Sequence, residues 1–254
     1  YRAYGHWGPY PWKSSAASAD AYYLAHVGSF TGFEGLELIK VDLEGDTVWS
    51  RGLTGSDGHL ACGPGAVYLS TGYLLASIDT AGALVWANAT TYDNMGGAYG
   101  SRVHVLTDGV LTAGQRDCNQ QNGDIHYGIT LARYDAEGGL VWGKTTKLPF
   151  WQPNPGLNAL ASVIAPNGDI VVAGNRLTDM GSPQKPMLAR FTSTGDLIWI
   201  RTYTDLTGAS PLFVPSDLIT TSDGNFALAG SDVLDGGMGH VLKFDDLGNM
   251  IWAR

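Results

Sequence analysis

Histidine is the residue type in this sequence best suited to metal binding or to proton transfer near neutral pH. The chain has six histidines, and no two of them have the close spacing of a zinc-binding pair. His59 and His104 fall in short apolar segments that are predicted to be strands. A metal or catalytic site would therefore need histidines from segments that lie far apart in the sequence. The six are His6, His26, His59, His104, His126 and His240.

Pairs of acidic residues in polar segments are the second candidate for chemistry. Asp117 and Asp124 flank the sequence CNQQNG, and Asp232 and Asp235 flank Val-Leu. These segments could bind calcium or could be solvated loops, since neither follows the EF-hand spacing. The chain also has no G-x-S-x-G nucleophile motif. We therefore assign no catalytic residue, no metal and no cofactor from these patterns.

Net charge and hydropathy exclude several classes of partner. The formal net charge is −9, and the 15 Lys and Arg residues are scattered along the sequence. Nucleic-acid binding needs Lys and Arg residues that are clustered. No apolar run approaches the roughly 20 residues that cross a bilayer. Only 15% of residues are charged and 35 are glycine, which is typical of an all-β protein with many turns. We expect no nucleic-acid partner and no membrane span.

Two cysteines, Cys62 and Cys118, lie in Gly-rich or polar turn-like segments. They could form one disulfide in an oxidising compartment or remain two unrelated thiols, and their spacing does not fit a zinc site. Asn88-Ala89-Thr90 matches the N-glycosylation sequon, but it falls in a predicted strand, where we interpret it as a chance match.

Five similar ten-residue segments reveal an internal repeat. They read KVDLEGDTVW from residue 40, SIDTAGALVW from 77, RYDAEGGLVW from 133, RFTSTGDLIW from 190 and KFDDLGNMIW from 243. Each combines a strand, a tight turn that ends in glycine, and a second strand with a tryptophan. The tryptophans are Trp49, Trp86, Trp142, Trp199 and Trp252, and the turn glycines are Gly45, Gly82, Gly138, Gly195 and Gly248.

The residue types of this motif recur for physical reasons. Glycine supplies the positive φ of a three-residue hairpin turn, and an acidic side chain can accept hydrogen bonds from the amides of the turn. Tryptophan offers a large flat surface that can pack between neighbouring repeats. The motif acids are Asp42, Asp79, Asp135 and Asp245, with Thr192 in the remaining copy.

Each motif closes a unit of four short predicted strands, and a four-stranded repeat of about 40 to 50 residues is typical of a propeller blade. We therefore predict an all-β, five-bladed β-propeller of four-stranded antiparallel blades. In such a fold the first strands line a central channel, where His59 and His104 could converge or could be ordinary strand residues. A single propeller domain would cover 22–254, with blades near 22–53, 57–92, 101–148, 157–204 and 214–254.

Aromatic residues outside the motifs are the candidate binding residues. Residues 1–21 form an aromatic segment with Trp7 and Trp12, which could complete blade one or close the ring beside blade five. Phe150 and Trp151 follow blade three in a proline-rich segment, where they could contact a partner or pack between blades. Long polar loops are predicted at 115–128, 175–186 and 231–239.

The motifs resemble the short β-propeller repeats of bacterial secreted and cell-surface proteins. With h for an apolar residue, those blades read roughly D-G-x-h-h-h-A-G and then h-x-h-D-x-x-G-h-h-x-W. Residues 168–174 with 191–199 are the best copy, and 224–230 with 244–252 the next. The motifs are also similar to the Trp-docking repeats of quinoprotein propellers, which imply a quinone and calcium.

The chain departs from the quinoprotein pattern in two ways. Two residues rather than three separate Asp79 from Gly82, and the chain has five repeats where those dehydrogenases typically have eight. We therefore expect no quinone cofactor. Non-enzymatic relatives of that fold serve as assembly scaffolds, so this resemblance also implies a non-catalytic role.

Together these features favour a non-catalytic, extracytoplasmic propeller that binds a protein partner or assembles into a cell-surface or secreted structure. The resemblance implies an extracellular, cell-surface or periplasmic location. The chain begins without a signal-like segment and ends directly after the last motif, which favours a mature secreted protein or an excised domain. A carbohydrate-binding lectin and, less favoured, a hydrolase or lyase at the channel mouth are the alternatives.

Overall fold

A computed structural model describes the chain over 12–29, 34–53, 58–71, 74–89, 98–119, 125–147, 157–176, 185–203, 213–232 and 239–254. These residues form twenty β-strands, and they include no helix that is long and apolar enough to span a membrane. The strands are β1 Trp12–Ala17, β2 Ala21–Ser29, β3 Glu34–Asp42, β4 Thr47–Leu53, β5 His59–Gly63, β6 Ala66–Ser70, β7 Leu74–Asp79, β8 Leu84–Ala89, β9 Ala98–Leu106, β10 Gly109–Asn119, β11 Ile125–Asp135, β12 Leu140–Lys147, β13 Leu157–Ile164, β14 Ile170–Arg176, β15 Lys185–Phe191, β16 Leu197–Thr202, β17 Phe213–Thr220, β18 Phe226–Asp232, β19 Gly239–Phe244 and β20 Met250–Ala253.

The strands form five four-stranded antiparallel sheets, each built from four consecutive strands in chain order. The predicted fold class is confirmed: the chain is an all-β, five-bladed β-propeller. The opening strand of blade one, which the sequence left open within the N-terminal segment, is β1. It pairs with β2 from Trp12↔His26 to Ala17↔Tyr22. Residues 12–17 therefore complete blade one.

The chain divides into two compact units. Unit one comprises Tyr1–Thr112 and Arg133–Trp142, and unit two comprises Ala113–Ala132 and Gly143–Arg254. Blades one and two thus belong to unit one and blades four and five to unit two, while the third sheet contributes residues to both. The sequence predicted one propeller domain and gave no sign of this division.

Each unit has its own apolar core, formed where neighbouring blades pack face to face. In unit one, Tyr23 of blade one packs with Val67 of blade two. In unit two, Val171 of blade four packs with Phe226 and Phe244 of blade five. All five side chains are almost inaccessible to solvent. Burying one such side chain stabilises the fold by about 1.5–3 kcal/mol, so the blade interfaces hold each unit together.

Candidate functional site

Each sheet has two chemically different ends. The turn end contains the tight turns between strands one and two and between strands three and four. The loop end contains the connection between strands two and three and the points where the chain enters and leaves the blade. In blade three, the connection between the second and third strands is shorter than predicted, because β10 continues to Asn119 and β11 begins at Ile125. The predicted loop over 115–128 was therefore wrong at both of its ends.

At the turn end, the motif acids accept hydrogen bonds from the amides of their own turns. Asp79 Oδ1 accepts from Ala81 N at 2.9 Å and from Ala83 N at 2.8 Å. Thr192 Oγ1 accepts from the amide four residues later at 3.0 Å. Gly82, with φ of 86°, has the backbone conformation that favours glycine. Equivalent bonds are made by Asp42, Asp135 and Asp245.

A basic residue two positions before the motif acid joins the two turns of a blade. In blade four, Arg190 Nε lies 2.9 Å from Asp169 Oδ2, and the two side chains are only 12% and 15% exposed. Arg190 also donates to the Asp246 carbonyl of the next blade. In blade five, Lys243 Nζ lies 2.6 Å from Asp223 Oδ2, and this acid is 48% exposed. The corresponding pairs are Lys40–Asp20 and Arg133–Asp108.

Blade two shows that the base and the acid of this pair belong together. It has Ser77 at the position of the base, and its first turn reads Gly63-Pro64-Gly65 and contains no acid. The two charges are present together in four blades and absent together in one. A structural ion pair requires this, because a partly buried charge without its partner is destabilising.

Three of the motif tryptophans, Trp49, Trp86 and Trp199, contact the turn of the following blade. Trp49 Nε1 donates to the Thr80 carbonyl at 3.1 Å, and Trp86 Nε1 donates to the Ala136 carbonyl at 3.0 Å. The Trp86 ring lies over Gly138, where a Cβ would come within 2.6 Å of a ring carbon. This glycine therefore supplies both the positive φ of the turn and the room for the ring. At these turns, the turn end thus contributes contacts between neighbouring blades.

At the loop end, buried polar side chains accumulate on the strand ends. His26 lies opposite Glu37 in blade one, and His59 lies opposite Ser70 in blade two. In blade five, the His240 ring contacts the Phe213 ring with the centroids 6.5 Å apart. Four buried atoms here have no hydrogen-bond partner among the described residues: Glu37 Oε2, Ser70 Oγ, Thr202 Oγ1 and His240 Nε2.

Such atoms are uncommon in folded proteins, and an unsatisfied one costs about 1–3 kcal/mol. Within the described ranges they lie at the loop ends of blades one, two, four and five, and none lies at a turn end. The loop end is therefore the candidate binding surface of the blades.

The histidines do not form a metal site in the part of the chain that the structure describes. His59 and His104 lie in first strands, β5 and β9, as the sequence predicted, and these strands are neighbours. His59 begins its strand at the loop end, whereas His104 lies two residues from the turn end of its own. The described residues contain no group of three potential metal ligands. Burial and the nearby Arg102 lower the pKa of His104 to about 4.

The aromatic binding candidates remain predictions. Trp7, Phe150 and Trp151 lie outside the described residues, and Trp12 is described only as the first backbone position of β1. Cys62 is a free thiol, and burial raises its pKa to about 11. The side chain of Cys118 lies outside the described part.

The fourth strand of each blade exposes apolar side chains. Leu84 and Val85 of β8 are 61% and 59% exposed, although they directly precede the motif tryptophan. Equivalent exposed residues on the other fourth strands are Val48, Leu140, Val141, Leu197, Ile198 and Ile251.

Asn88 of the sequon has a structural role. Its side-chain amide donates a hydrogen bond to the Gly138 carbonyl of the next blade.

Comparison with known proteins identifies the fold and no family. No protein-family model matches the sequence, and no curated protein matches it. BamB from Moraxella catarrhalis is 14% identical, with a TM-score of 0.55, and the match covers 96% of this chain and 76% of that one. The Neurospora crassa Pan2 WD40 domain is 12% identical, with a TM-score of 0.62 over 96% and 65% of the two chains.

A third solved structure bears on the resemblance to quinoprotein repeats. The quinohemoprotein alcohol dehydrogenase from Comamonas testosteroni is 13% identical, with a TM-score of 0.57. The match covers 96% of this chain and 43% of that one. At these identities the similarity establishes the β-propeller fold and carries no activity, substrate or partner with it.

Two features of the site were missed from the sequence. The first is the pairing of the motif base with the acid of the preceding turn, which comparison of blade two with the other blades could have shown. The second is the set of buried polar atoms at the loop end. Its only sequence signal is the position of His59 and His240 near strand ends, and that signal does not indicate which atoms are buried.

Proposed function

We propose that this chain is a non-catalytic, extracytoplasmic β-propeller that binds a protein partner through the loop end of its blades. The observation that carries the proposal is the contrast between the two ends of the sheets. Turn-end acids and bases have partners within the blades, whereas buried loop-end atoms such as Ser70 Oγ and His240 Nε2 have none among the described residues. Polar groups kept in this state suit a surface that a partner completes.

A protein partner fits the blade sequences better than a repeated small ligand. The connections between the second and third strands differ in length and composition from blade to blade, so the blades do not present five equivalent pockets. Surfaces that differ from blade to blade suit proteins, whose contact groups need not repeat. The extracytoplasmic location rests on the resemblance of the motifs to repeats of bacterial secreted and cell-surface proteins.

The test compares one substitution at each end of blade five. Gly239→Arg adds a long side chain at the loop end, where a Cβ meets no atom within 4 Å. Ser222→Arg adds the same side chain at an exposed position of the turn end. The immobilised chain and both variants are incubated with a cell-envelope extract, and the retained proteins are identified by mass spectrometry.

We expect Gly239→Arg to weaken retention of a specific partner by at least about tenfold in affinity, or about 1.4 kcal/mol, and Ser222→Arg to leave it unchanged. Equal retention by both variants, or loss in Ser222→Arg alone, would contradict the proposal. The melting temperatures of the three proteins establish that the variants are folded.

A carbohydrate ligand is the second candidate function. The observation that favours it is the chemistry of the loop-end atoms, since histidine, serine, threonine and carboxylate groups also bind sugar hydroxyls. A glycan array probed with the same three proteins distinguishes the candidates. Specific sugar binding by the unmodified chain, lost in Gly239→Arg, would replace the protein partner with a glycan at the same surface.

A further inference from the structure

Glu37 is a partly buried acidic residue of β3, toward the loop end of blade one. Its Oε2 atom is buried and has no hydrogen-bond partner among the described residues. A carboxylate has acceptor oxygens and no donor, so only a donor can satisfy it. A charged group that is taken out of water without a partner is costly to the fold. Within the described part of the chain, the fold does not supply that donor.

The residue beside Glu37 on the fourth strand of blade one is a glycine. Glu37 lies directly opposite Gly52 in the register of β3 and β4, and directly opposite His26 in that of β2 and β3. A Cβ added at Gly52 would meet no described atom within 4 Å, and Gly52 is exposed to solvent. Side chains at directly opposed positions lie about 5 Å apart at Cβ, so a group placed over Gly52 is within reach of Glu37. The carboxylate thus lies between a buried histidine and an open position.

The other blades show that the fold does not require an acid at this position. In blade three, Thr130 Oγ1 lies 3.0 Å from Thr145 Oγ1 of the fourth strand, so the two hydroxyls satisfy each other. Gly52 has the place of Thr145 in blade one, three residues after the motif tryptophan. Glu37 therefore faces a position that offers it no side chain. The residues equivalent to Glu37 in blades two to five are Leu74, Thr130, Met187 and His240.

We propose that Glu37 receives an arginine side chain of the protein partner, which lies over Gly52. The inference rests on the proposed function and names one contact of that partner. An arginine presents its N–H donors in a planar fork that matches a carboxylate. It is also more weakly hydrated than a lysine ammonium, which suits a partly buried acid. The net charge of −9 attracts a cationic partner from solution and does not oppose it.

The probe for this site is N-acetyl-arginine methylamide, titrated into the isotope-labelled chain while the backbone amide signals are followed by NMR. N-acetyl-citrulline methylamide is its neutral control, since it has nearly the same shape and no charge. Glu37→Gln removes the charge at constant size, and Glu44→Gln is the matched control at an exposed turn of the same blade. Gly52→Leu fills the open position, and Ser50→Leu is its control at an exposed position of the same strand.

We expect the arginine probe to shift the amide signal of Gly52 with a Kd on the order of 1 mM at low salt. The citrulline probe should leave that signal in place. Glu37→Gln and Gly52→Leu should each weaken binding by at least about tenfold, and Glu44→Gln and Ser50→Leu should not. Glu37→Gln should melt no lower than the unmodified chain, because it removes a charge that has no partner in the described fold.

No shift at Gly52, equal binding of the two probes, or equal weakening in Glu44→Gln would overturn the proposal. A Glu37→Gln variant that melts at a clearly lower temperature would also overturn it, because the carboxylate would then serve the fold. If Gly52→Leu proves unfolded, Glu37→Gln decides.

Failure of this inference is distinguishable from failure of the proposed function. The partner retained by the unmodified chain should be retained at least about tenfold more weakly by Glu37→Gln. Unchanged retention by Glu37→Gln, with loss in Gly239→Arg, would overturn the arginine contact and leave the loop-end surface in place. Probe binding at Glu37 with equal partner retention by Gly239→Arg and Ser222→Arg would support the arginine site and contradict the proposed function.

Discussion

The turn end and the loop end of a blade contain similar polar residue types and use them in opposite ways. At the turn end, Asp79 and Thr192 accept hydrogen bonds from their own turns, and Arg190 joins two blades through Asp169 and the Asp246 carbonyl. At the loop end, Ser70, Thr202 and His240 hold buried atoms that find no partner among the described residues. The same residue types are satisfied by hydrogen bonds at one end and include unsatisfied atoms at the other.

Contacts between blades at the turn end add to those of the apolar cores. Trp49 and Trp86 donate there to carbonyls of the following blade. Near the loop end, Ser14 accepts a hydrogen bond from the Leu60 amide of the neighbouring blade, but the buried atoms of Ser70 and Thr202 make no such contact among the described residues.

The largest effect should come from a turn glycine that lies beneath a tryptophan. Gly138→Ala forces an alanine to a φ of 87° and places its Cβ 2.6 Å from the Trp86 ring. We expect a loss of about 3 kcal/mol in the free energy of unfolding, from left-handed strain and overpacking together. Gly224→Ala is the control, because its φ is 79° but its Cβ would meet nothing within 4 Å. It should lose only about 1–2 kcal/mol, and equal losses would show that the tryptophan contact contributes nothing.

The next effect compares the same ion pair in two blades. Arg190→Met leaves Asp169 partly buried without its partner, so we expect a loss of about 2–3 kcal/mol in denaturant unfolding. Lys243→Met removes the equivalent base from the exposed acid Asp223, and the loss should be clearly smaller because solvent screens this pair. If the two variants lost the same amount, burial of the pair would not be the reason for its strength.

A pH dependence near the turn end should follow from His104. Its pKa is lowered by burial to about 4 from an ordinary value near 6.5, so the unfolded chain takes up a proton at a higher pH than the folded one. The stability that this group contributes is complete above pH ~6.5 and is lost as the pH falls toward 4, by at most about 3 kcal/mol. His104→Gln should flatten this range of the stability profile. If the free energy of unfolding of His104→Gln fell between pH ~6.5 and ~4 as steeply as that of the unmodified chain, His104 would not be the group responsible.

Turn-end carboxylates should add a further loss of stability below that range. Hydrogen bonds from Lys243 and Thr221 hold the pKa of Asp223 well below its usual range. Burial would raise the pKa of Asp245, but hydrogen bonds from Asn249 and Leu247 hold it low. Both groups contribute stability that is present above pH ~4 and is lost as they become protonated in more acidic solution. Urea unfolding at a series of pH values separates this step from that of His104.

The sequence predicted the number of blades because the Trp-bearing motif recurs with the same turn chemistry in all five. It could not assign β1, since WKSSAA has little apolar alternation. One of its serines, Ser14, instead accepts a hydrogen bond from the Leu60 amide of blade two at 3.0 Å. The sequence-based prediction also placed the loop boundaries of blade three too far into the sheet. The polar residues 115–119 continue a paired strand. Polarity alone does not end a strand whose backbone still has a partner.

The candidate site was less accessible to sequence reasoning than the fold. The loop-end residues belong to ordinary strands, and their burial depends on which blade faces them. The histidines illustrate this, because His59 and His104 have similar sequence surroundings but lie at opposite ends of neighbouring strands. The roles of Trp7, Phe150 and Trp151 as binding residues remain predictions, because these residues lie outside the described part of the chain.

The most direct test of the account is one substitution made at both ends of blade four. Thr192→Val removes the hydroxyl that accepts the Asp196 amide at the turn end, and Thr202→Val removes the unpartnered hydroxyl at the loop end. Equilibrium unfolding in urea should show a loss of about 1 kcal/mol for Thr192→Val. Thr202→Val should leave the free energy of unfolding unchanged or raise it by up to about 1 kcal/mol. A Thr202→Val variant that loses as much stability as Thr192→Val would show that the loop-end groups serve the fold, and it would contradict the account.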